Sequence, residues 1–260
     1  MVGRHGSVAR MRRILVPYHL DQLLPDLDVP VTPDTTVTVE LPDGDAWPRL
    51  AGLYDSVAAI VAETLAGRQR PVVVSGDCTT SLGTLAGLQR SGLDPAIVWF
   101  DAHGDVQTLE TTASGYLGGM PLRILVGYRP ELVAAPLGLR AVGEERVVLV
   151  GARDLDPPEV GYLQGAAIRR HEVAELSAGA LPDGPLYLHL DVDVVDPGEL
   201  GGLRFPAPGG PGWSPVAQAL GLVVGTGRVA ALGVACTWHP GRGAGERVGP
   251  QLESVLADWQ

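Results

Sequence analysis

Short, largely apolar runs alternate along the chain with stretches in which apolar residues recur at helical spacing. Such runs are typical of strands that are buried on both faces of a sheet. They occur at 14–16, 71–75, 96–100, 146–150, 186–190 and 229–234. Apolar residues at three- and four-residue intervals predict amphipathic helices. These intervals occur at 50–65, 82–88, 215–224 and 248–256.

Strands that alternate with helices predict an α/β fold, in which helices cover both faces of a mostly parallel sheet. No linker-like or low-complexity segment divides the chain, so we expect residues 1–260 to form a single domain. In such sheets ligands bind beyond the carboxyl ends of the strands. The polar segments that follow four of the predicted strands therefore become the candidate site. They begin at Gly76, Asp101, Gly151 and Asp191.

The composition narrows the class of protein. The chain has 30 acidic and 19 basic residues and a net charge of −11, without the basic stripe that nucleic-acid binding needs. No apolar run approaches the roughly 18 residues of a membrane span, and no signal-peptide core follows the N-terminal arginines. Two cysteines, Cys78 and Cys236, are too few to staple a secreted fold of this size. We therefore expect a cytoplasmic protein that acts on a small molecule and has no nucleic-acid or membrane partner.

Two clusters of ionisable residues follow the third and fifth predicted strands. Asp101, His103 and Asp105 alternate after the first of these, and Asp191 and Asp193 alternate after the second. An extended chain projects alternate side chains to one side, so these carboxylates would meet and repel each other. A divalent cation relieves this repulsion, and oxygen and imidazole ligands suit Mn²⁺ or another first-row metal. A single aspartate after a strand more simply caps a turn, but two clusters together favour a metal site.

Five segments in this chain resemble motifs of the ureohydrolase family, which contains the arginases and agmatinases. They lie at 75–78, 100–105, 114–121, 190–197 and 206–210. The second and fourth resemble the D-A-H-x-D and D-x-D-x-x-D-P motifs, which are the most specific of the five. The resemblance implies a three-layer α/β/α sandwich, a manganese centre of one or two ions, and hydrolysis of a guanidino-type C–N bond.

The resemblance also assigns roles to the residues of the two clusters. It implies a first metal held by Cys78, Asp101, Asp105 and Asp191. It implies a second metal held by Asp101, His103, Asp191 and Asp193, so that Asp101 and Asp191 bridge the two ions. The implied catalytic residues are Asp105, Asp101 and Asp191, with Asp105 orienting an activated water that attacks the guanidino carbon.

Three positions depart from the family pattern. Cys78 replaces a ligand histidine, and it is either a soft ligand that weakens manganese binding or a small buried apolar residue. Gly118 stands where arginases have a proton-shuttling histidine. The family glutamate that binds the guanidinium falls near Thr237 or Trp238, where this chain has no carboxylate. Because a cationic guanidinium is normally held by a carboxylate, arginine itself is a disfavoured substrate.

The resemblance further implies a pocket for a small α-amino acid. Asp156, with Glu159 behind it, falls in the segment that contacts the α-amino group of the substrate. Gln107 and Ser114 fall at positions that contact the α-carboxylate, and Thr237 falls at the side-chain end of the pocket. A simpler role for Asp156 is to form the turn before the proline that follows it.

Two further histidines lie near the predicted site. His189, two residues before Asp191, is expected on the same side of the sheet. It is either a neutral buried residue or a group that supports a metal ligand, with Cys78 as one partner, since we expect the strands preceding these two residues to be near neighbours. His19, after the first strand, is placed to reach the same edge. Together with the 111–120 segment, Cys78 and His189 resemble a branch of the family that hydrolyses Nω-hydroxy-L-arginine in D-cycloserine biosynthesis.

We therefore interpret the chain as a metallohydrolase that releases urea or hydroxyurea and an ornithine-like product from a guanidino or hydroxyguanidino amino acid. The missing glutamate leaves two alternatives open. One is a hydrolase of another amidine or amide C–N bond, and the other is a non-catalytic relative that binds a metal or a ligand. The trimers and hexamers of the family make a homo-oligomer the expected assembly by analogy alone.

Overall fold

The computed structural model describes residues 10–259 and consists of short strands alternating with helices. The strands are β1 (Met11–Val16), β2 (Tyr18–His19), β3 (Gln22–Leu23), β4 (Thr35–Thr36), β5 (Arg70–Ser75), β6 (Ala96–Phe100), β7 (Val147–Val150), β8 (Arg169–His171), β9 (Leu186–Asp191) and β10 (Val229–Ala235). The helices are α1 (Ala46–Ala66), α2 (Ser81–Arg90), α3 (Pro121–Leu125), α4 (Ala134–Leu137), α5 (Pro157–Gly165), α6 (Trp213–Val224) and α7 (Ala244–Asp258).

Eight of these strands form one sheet in the order β4-β1-β5-β10-β9-β6-β7-β8. Every pairing in this sheet is parallel. The remaining two strands, β2 and β3, form a small antiparallel hairpin. Because the eight strands run in one direction, their carboxyl ends meet at a single edge, where α/β proteins bind their ligands.

A hydrophobic core lies on each face of the sheet. Val72 of β5 packs in the core that includes Leu220 of α6 and Leu252 of α7. Its neighbour Val73 packs in the opposite core, which includes Leu53 of α1. Successive side chains of a strand point to opposite faces, so a strand between two helical layers must be apolar at every position. The predicted three-layer α/β/α architecture is confirmed.

The elements predicted from the sequence are all present, and the differences fall where the pattern is weak. Helix α1 begins at Ala46, four residues before the first position of the predicted apolar stripe. Strand β8 was not predicted, since it is polar and lies at the edge of the sheet, where it pairs with β7 alone. Helix α5 was not predicted either, because its first residues are two prolines that also suit a turn. That residues 1–260 form one domain remains a prediction.

The strand before Cys78 and the strand that contains His189 are near neighbours, as expected, but they are not adjacent. These strands, β5 and β9, are separated by β10. Gly233 of β10 pairs with His189 on one side and with Val73 on the other. The two site residues therefore approach each other across an intervening strand.

None of the helices within residues 10–259 has the length and apolar composition that crossing a membrane requires.

Candidate functional site

The residues predicted from the two aspartate motifs meet at the carboxyl ends of the central strands, where a cavity opens. The predicted site residues that line it are Cys78, His103, Asp105, Gln107, Ser114, Asp156, Glu159, Asp191, Asp193 and Thr237. The other two, Asp101 and His189, are each 1% exposed and lie in the protein interior. The sequence-based prediction therefore selected one contiguous region of the molecule.

Each aspartate motif starts with a turn that is closed by its own first aspartate. Asp101 Oδ1 accepts the backbone N–H of His103 at 2.7 Å, and Asp191 Oδ1 accepts that of Asp193 at 2.9 Å. The chain leaves strand geometry here, and Val192–Val194 forms a short 3₁₀ turn. The side chains thus converge through two equivalent turns, and not through the expected alternation of an extended strand.

His103 joins the two motifs. Its Nδ1 lies 3.3 Å from Asp101 Oδ1 and 3.1 Å from Asp193 Oδ2. Asp193 Oδ1 also accepts the backbone N–H of Ala102 at 3.2 Å, which ties the turn after β9 to the turn after β6. Asp101, His103 and Asp193 each offer a ligand atom within 4.8 Å of the others. These are three of the four residues that the family resemblance implies for the second metal.

Cys78 starts a short 3₁₀ turn after β5 and lies against the carboxylates. Its Sγ is 2.8 Å from Asp191 Oδ2 and 3.9 Å from Asp101 Oδ2. The other oxygen of Asp191 accepts the hydroxyl of Thr237 at 2.5 Å. Cys78 is thus both buried and in contact with two predicted metal ligands, while Thr237 acts on one of those ligands.

Asp105 has the geometry of a residue arranged for a ligand. Its backbone is left-handed, with φ of 54°, a conformation that aspartate tolerates better than most residues. Its Oδ2 is buried and has no hydrogen-bond partner among residues 10–259. A buried carboxylate oxygen without a partner destabilises a protein, so this atom is suited to a group that the chain itself does not supply.

The crowded carboxylates raise each other's proton affinity. Burial, followed by repulsion from Asp101 and Asp191, raises the pKa of Asp105 well above its usual value. Burial and Asp193 do the same to the pKa of Asp191. Burial and Asp101 raise the pKa of Asp193 to about 6. Burial lowers the pKa of His103, but hydrogen bonds to Asp101 and Asp193 raise it to about 12. Protons here offset negative charge, which a divalent cation would also do.

His189 packs beside this cluster. Its ring stacks on Trp99 at 3.7 Å between centroids, and Trp99 Nε1 donates to Asp101 Oδ2 at 3.0 Å. Its Nδ1 lies 2.9 Å from Ser81 Oγ, while its Nε2 has no partner among the residues described. Burial lowers its pKa to about 3, so the ring is neutral. Cys78, Asp101 and His189 offer ligand atoms within 4.8 Å of one another, so the imidazole is in reach of the predicted first metal.

The residues predicted to bind the amino-acid end of a substrate line the same cavity. Gln107 Nε2 donates to Asp156 Oδ2 at 2.8 Å. Asp156 precedes α5, and Glu159 Oε2 accepts its backbone N–H at 3.1 Å. The Oγ of Ser114 is occupied by the backbone N–H of Tyr116 at 3.2 Å. Asp156 therefore combines the two roles considered from the sequence, because it starts a helix and also lines the cavity.

Two aromatic residues of the cavity were not predicted. Tyr116 and Phe205 line it with ring centroids 5.0 Å apart, and Phe205 is 39% exposed. The 114–121 segment resembles the family motif S-G-N-L-H-G-x-P, and Tyr116 stands where that motif has asparagine, which was the available signal. His19 does reach this edge, as expected, since its Nε2 lies 3.1 Å from Tyr116 Oη.

Comparison with known families gives one extensive match. A family model described as the arginase family matches residues 7–237. The chain is 33% identical over 174 residues to an arginase of Bacillus subtilis (strain 168), and the alignment covers 62% of this chain and 58% of that protein. It is 35% identical over 159 residues to an N(omega)-hydroxy-L-arginine amidinohydrolase of Streptomyces lavendulae, and the alignment covers 60% of this chain and 56% of that protein. The alignments thus span less than two thirds of these relatives.

Solved structures match over nearly the whole chain. An arginase from Bacillus cereus has a TM-score of 0.82 at 22% identity and covers 96% of this chain and 98% of its own. An agmatine ureohydrolase of Thermoplasma volcanium has a TM-score of 0.70 at 13% identity, with coverage of 97% and 90%. At these identities the likeness establishes a shared fold.

Proposed function

The chain belongs to the arginase family, and on this premise we propose that it is a metal-dependent hydrolase that cleaves a C–N bond of a guanidino or hydroxyguanidino amino acid. The products would be urea or hydroxyurea and an ornithine-like amino acid. One observation carries the proposal: a thiol, an imidazole and three aspartates of the two motifs line one cavity at the carboxyl ends of the central strands, with the carboxylate of Asp101 buried beside them. The relatives named above are C–N hydrolases by their names, which supports the reaction class.

The donors of the cavity fit a divalent first-row cation, and we propose Mn²⁺. The fit rests on the unpartnered Oδ2 of Asp105 and on the excess of carboxylates with raised pKa values. The first ion would be held by Cys78, Asp101, Asp105 and Asp191, and the second by Asp101, His103, Asp191 and Asp193. A bound cation would supply Lewis-acid activation of a water molecule.

The remaining residues would hold the substrate and its protons. Asp105 would offer its unpartnered Oδ2 to the cation, and its other carboxylate oxygen would orient the attacking water. Gln107 and Asp156 are already joined at 2.8 Å and would bind the amino-acid end. Thr237, through its bond to Asp191, would orient a metal ligand and would not bind the guanidino group itself.

The side-chain end of the pocket favours a hydroxyguanidino group over a guanidinium. In the segment after β10, Thr237 donates to Asp191, and the indole N–H of Trp238 donates to the carbonyl of Asp28 at 3.1 Å. Neither supplies the carboxylate that a guanidinium normally pairs with. A hydroxyguanidine is a weaker base and depends less on such a partner. The same observation supports a second candidate, hydrolysis of another amidine or amide C–N bond.

The activity is tested by product analysis with the protein loaded with Mn²⁺. Guanidino, Nω-hydroxyguanidino, amidine and amide derivatives of small amino acids are offered in parallel, and urea, hydroxyurea and ammonia are quantified. We expect hydroxyurea from the hydroxyguanidino substrate and little urea from arginine. Ammonia from an amidine alone would favour the second candidate. Failure to hydrolyse any of them, together with loss of manganese on dialysis, would favour a non-catalytic relative.

The metal assignment is tested by removing ligands one at a time. Asp193→Ala and His103→Ala should each abolish binding of the second metal and hydrolysis. Both residues belong to the group of three, with Asp101, whose ligand atoms lie close enough together to hold one ion. Metal content is measured by elemental analysis. Asp196→Asn is the matched control, since the carboxylate of Asp196 accepts backbone amides of Gly198 and Gly209. Full metal content and activity in either ligand variant would contradict the assignment.

A cytoplasmic location and a homo-oligomeric assembly also belong to the proposal. Cys78 and Cys236 are buried free thiols, which suits a reducing compartment. The assembly rests on analogy with the family and is measured by light scattering of the purified protein.

A further inference from the structure

Tyr116 and His19 form a hydrogen-bonded pair at the wall of the cavity. Neither residue is one of the predicted metal ligands. His19 ends the short strand β2, and its Nε2 lies 3.1 Å from Tyr116 Oη. The two rings are nearly parallel, with 16° between their planes. Tyr116 lines the cavity together with Cys78 and Asp105. The phenol therefore connects the cavity to an imidazole that is partly exposed to solvent.

The hydrogen bonds of His19 determine which nitrogen carries its proton. Nδ1 lies 3.0 Å from the carbonyl oxygen of Gly76, and a carbonyl only accepts hydrogen bonds. Nδ1 therefore carries a hydrogen, and Nε2 of the neutral ring accepts the phenolic hydrogen of Tyr116. When His19 is protonated, Nε2–H donates to Tyr116 Oη instead, and the phenolic hydrogen is free to point elsewhere. Both states preserve the same two contacts.

The ring of Tyr116 fills the space beside Gly118. A Cβ added to Gly118 would lie 2.2 Å from Cζ, 2.3 Å from Oη and 2.4 Å from Cε1 of Tyr116. No side chain fits at Gly118 while the ring is in this position. The phenol hydroxyl thus occupies the volume that a side chain at 118 would enter.

The electrostatic environment keeps the phenol protonated. Burial, followed by the negative charge of Asp77, raises the pKa of Tyr116, and Asp105 and Asp191 act in the same direction from across the cavity. Asp77 also lies beside the turn that follows His19, where its Oδ2 accepts the backbone N–H of Leu20 at 2.5 Å. Asp21 lies within the same turn and pairs with Arg49 at 2.8 Å. Tyr116 therefore stays a phenol at neutral pH, and it can release its proton only if Oη takes another in the same step.

We propose that Tyr116 and His19 together act as the general acid of this site and protonate the departing nitrogen. This inference rests on the hydrolase function proposed above. As the C–N bond breaks, its electron pair goes to the departing nitrogen, which takes the phenolic proton of Tyr116. Tyr116 Oη takes the Nε2 proton of protonated His19 in the same step. His19 then regains a proton from solvent. Tyr116 is the catalytic residue, and His19 acts through it.

Kinetics of three variants test this relay on whichever substrate the wild type hydrolyses. Tyr116→Phe keeps the ring and removes Oη, and we expect kcat to fall by about 10²–10⁴-fold with little change in KM. His19→Gln keeps an acceptor for the phenol but cannot carry a proton, so its kcat should fall as far as that of His19→Ala. Wild-type kcat in Tyr116→Phe or in His19→Gln would overturn the relay. Tyr162→Phe and His171→Gln, at residues outside the cavity, are the matched controls.

Two measurements test the pair without relying on activity. The ¹⁵N signals of His19 should show a proton on Nδ1 in the neutral ring, and Tyr116→Phe should shift the Nε2 signal. Gly118→Ala should lower the melting temperature of the wild type but not that of Tyr116→Asn, which lacks the ring. A proton on Nε2 of the neutral ring, or an Nε2 signal indifferent to Tyr116→Phe, would overturn the pair. An inactive wild type with these signals as expected would contradict the proposed function alone.

Discussion

Asp101 and Asp191 each use their carboxylate for two purposes. One oxygen of each closes the backbone turn of its motif, at 2.7 and 2.9 Å. The other oxygen accepts from Trp99 in the case of Asp101 and from Cys78 in the case of Asp191. Replacement by alanine would therefore disturb the turn as well as any metal. Asparagine keeps an oxygen for the turn, so it is the better probe of charge at these positions.

The replacement Cys78→His should raise the Mn²⁺ occupancy of the first site by about an order of magnitude in affinity, since manganese prefers nitrogen to sulfur. Equilibrium dialysis against Mn²⁺ and Zn²⁺, followed by elemental analysis, measures the selectivity. Cys236→Ser is the control for loss of a buried thiol. Two manganese ions already present in the wild type, with no change in the variant, would mean that the thiolate is adequate or irrelevant.

The role of His189 is decided by measuring metal affinity and stability together. His189→Asn removes the ring that stacks on Trp99 and the Nε2 that has no partner in the described chain. If the imidazole supports the first metal, affinity for Mn²⁺ should fall about 10–100-fold. Lower stability with unchanged affinity would leave His189 a packing residue. Melting curves give the stability and metal titrations give the Mn²⁺ affinity, each measured on the same preparation.

At the scale of elements, the packing of α1 on α2 determines where the residues after β5 lie. Helix α2 follows directly on the turn Cys78–Thr80, and its Ser81 contacts His189. The two helices approach closely through glycine, since a Cβ at Gly87 would lie 2.7 Å from both the carbonyl oxygen of Ala58 and Cβ of Val61. The helix pair thus supports one side of the site.

Gly87→Ala should destabilise the protein by about 1–3 kcal/mol, because backbone and a β-branched side chain block the added methyl group. Gly52→Ala in α1 is the matched control. Nothing lies within 4 Å of its added Cβ, so it should stabilise the helix by roughly 0.5–1 kcal/mol. Urea unfolding measures both. Equal effects of the two replacements would mean that the close approach of the helices does not limit stability.

At the scale of the whole molecule, the parallel sheet concentrates negative charge at one edge. The carboxyl ends of β6 and β9 bring four aspartates into one cluster, although the net charge of −11 is spread over 260 residues. The pKa values of Asp105, Asp191 and Asp193 rise accordingly, and folding, protonation and cation binding become linked.

The stabilisation by Mn²⁺ should therefore increase as pH rises from about 4 to 7. The pKa of Asp193 is about 6 in the folded protein against an ordinary value of 3.8, and those of Asp105 and Asp191 are raised too. A carboxyl with a raised folded pKa contributes stability below its unfolded pKa and loses it as pH rises through the folded value. The metal-depleted protein loses this contribution, whereas Mn²⁺ replaces the protons.

Melting temperatures with EDTA and with Mn²⁺, taken across this range, give the difference directly. Asp193→Asn should make this difference in melting temperature depend less on pH, and Asp196→Asn should leave its pH dependence unchanged. A difference that stays constant with pH would contradict the linkage.

The local pattern of the chain determined the strands, the helices and the edge at which chemistry collects. The periodicity and composition of a segment indicate which of its side chains are buried. Every strand predicted in this way is present in the sheet, and its ends differ from the predicted ends by at most a few residues. The motif residues Asp101, His103, Asp191 and Asp193 were identified for the same reason, because the two residues of each pair, 101 with 103 and 191 with 193, lie within one turn of chain. The family resemblance supplied the reaction class.

Tertiary structure decided what depends on strand order. β10 lies between β5 and β9, and its Gly233 leaves room for the hydroxyl of Tyr187, which a Cβ at this position would meet. His19 meets Tyr116 across 97 residues of sequence, and the ring of Tyr116 excludes a side chain at Gly118. Periodicity carries no information about such contacts, because it records burial and not the partner. Which side chains share a cavity was therefore settled by how the sheet is threaded.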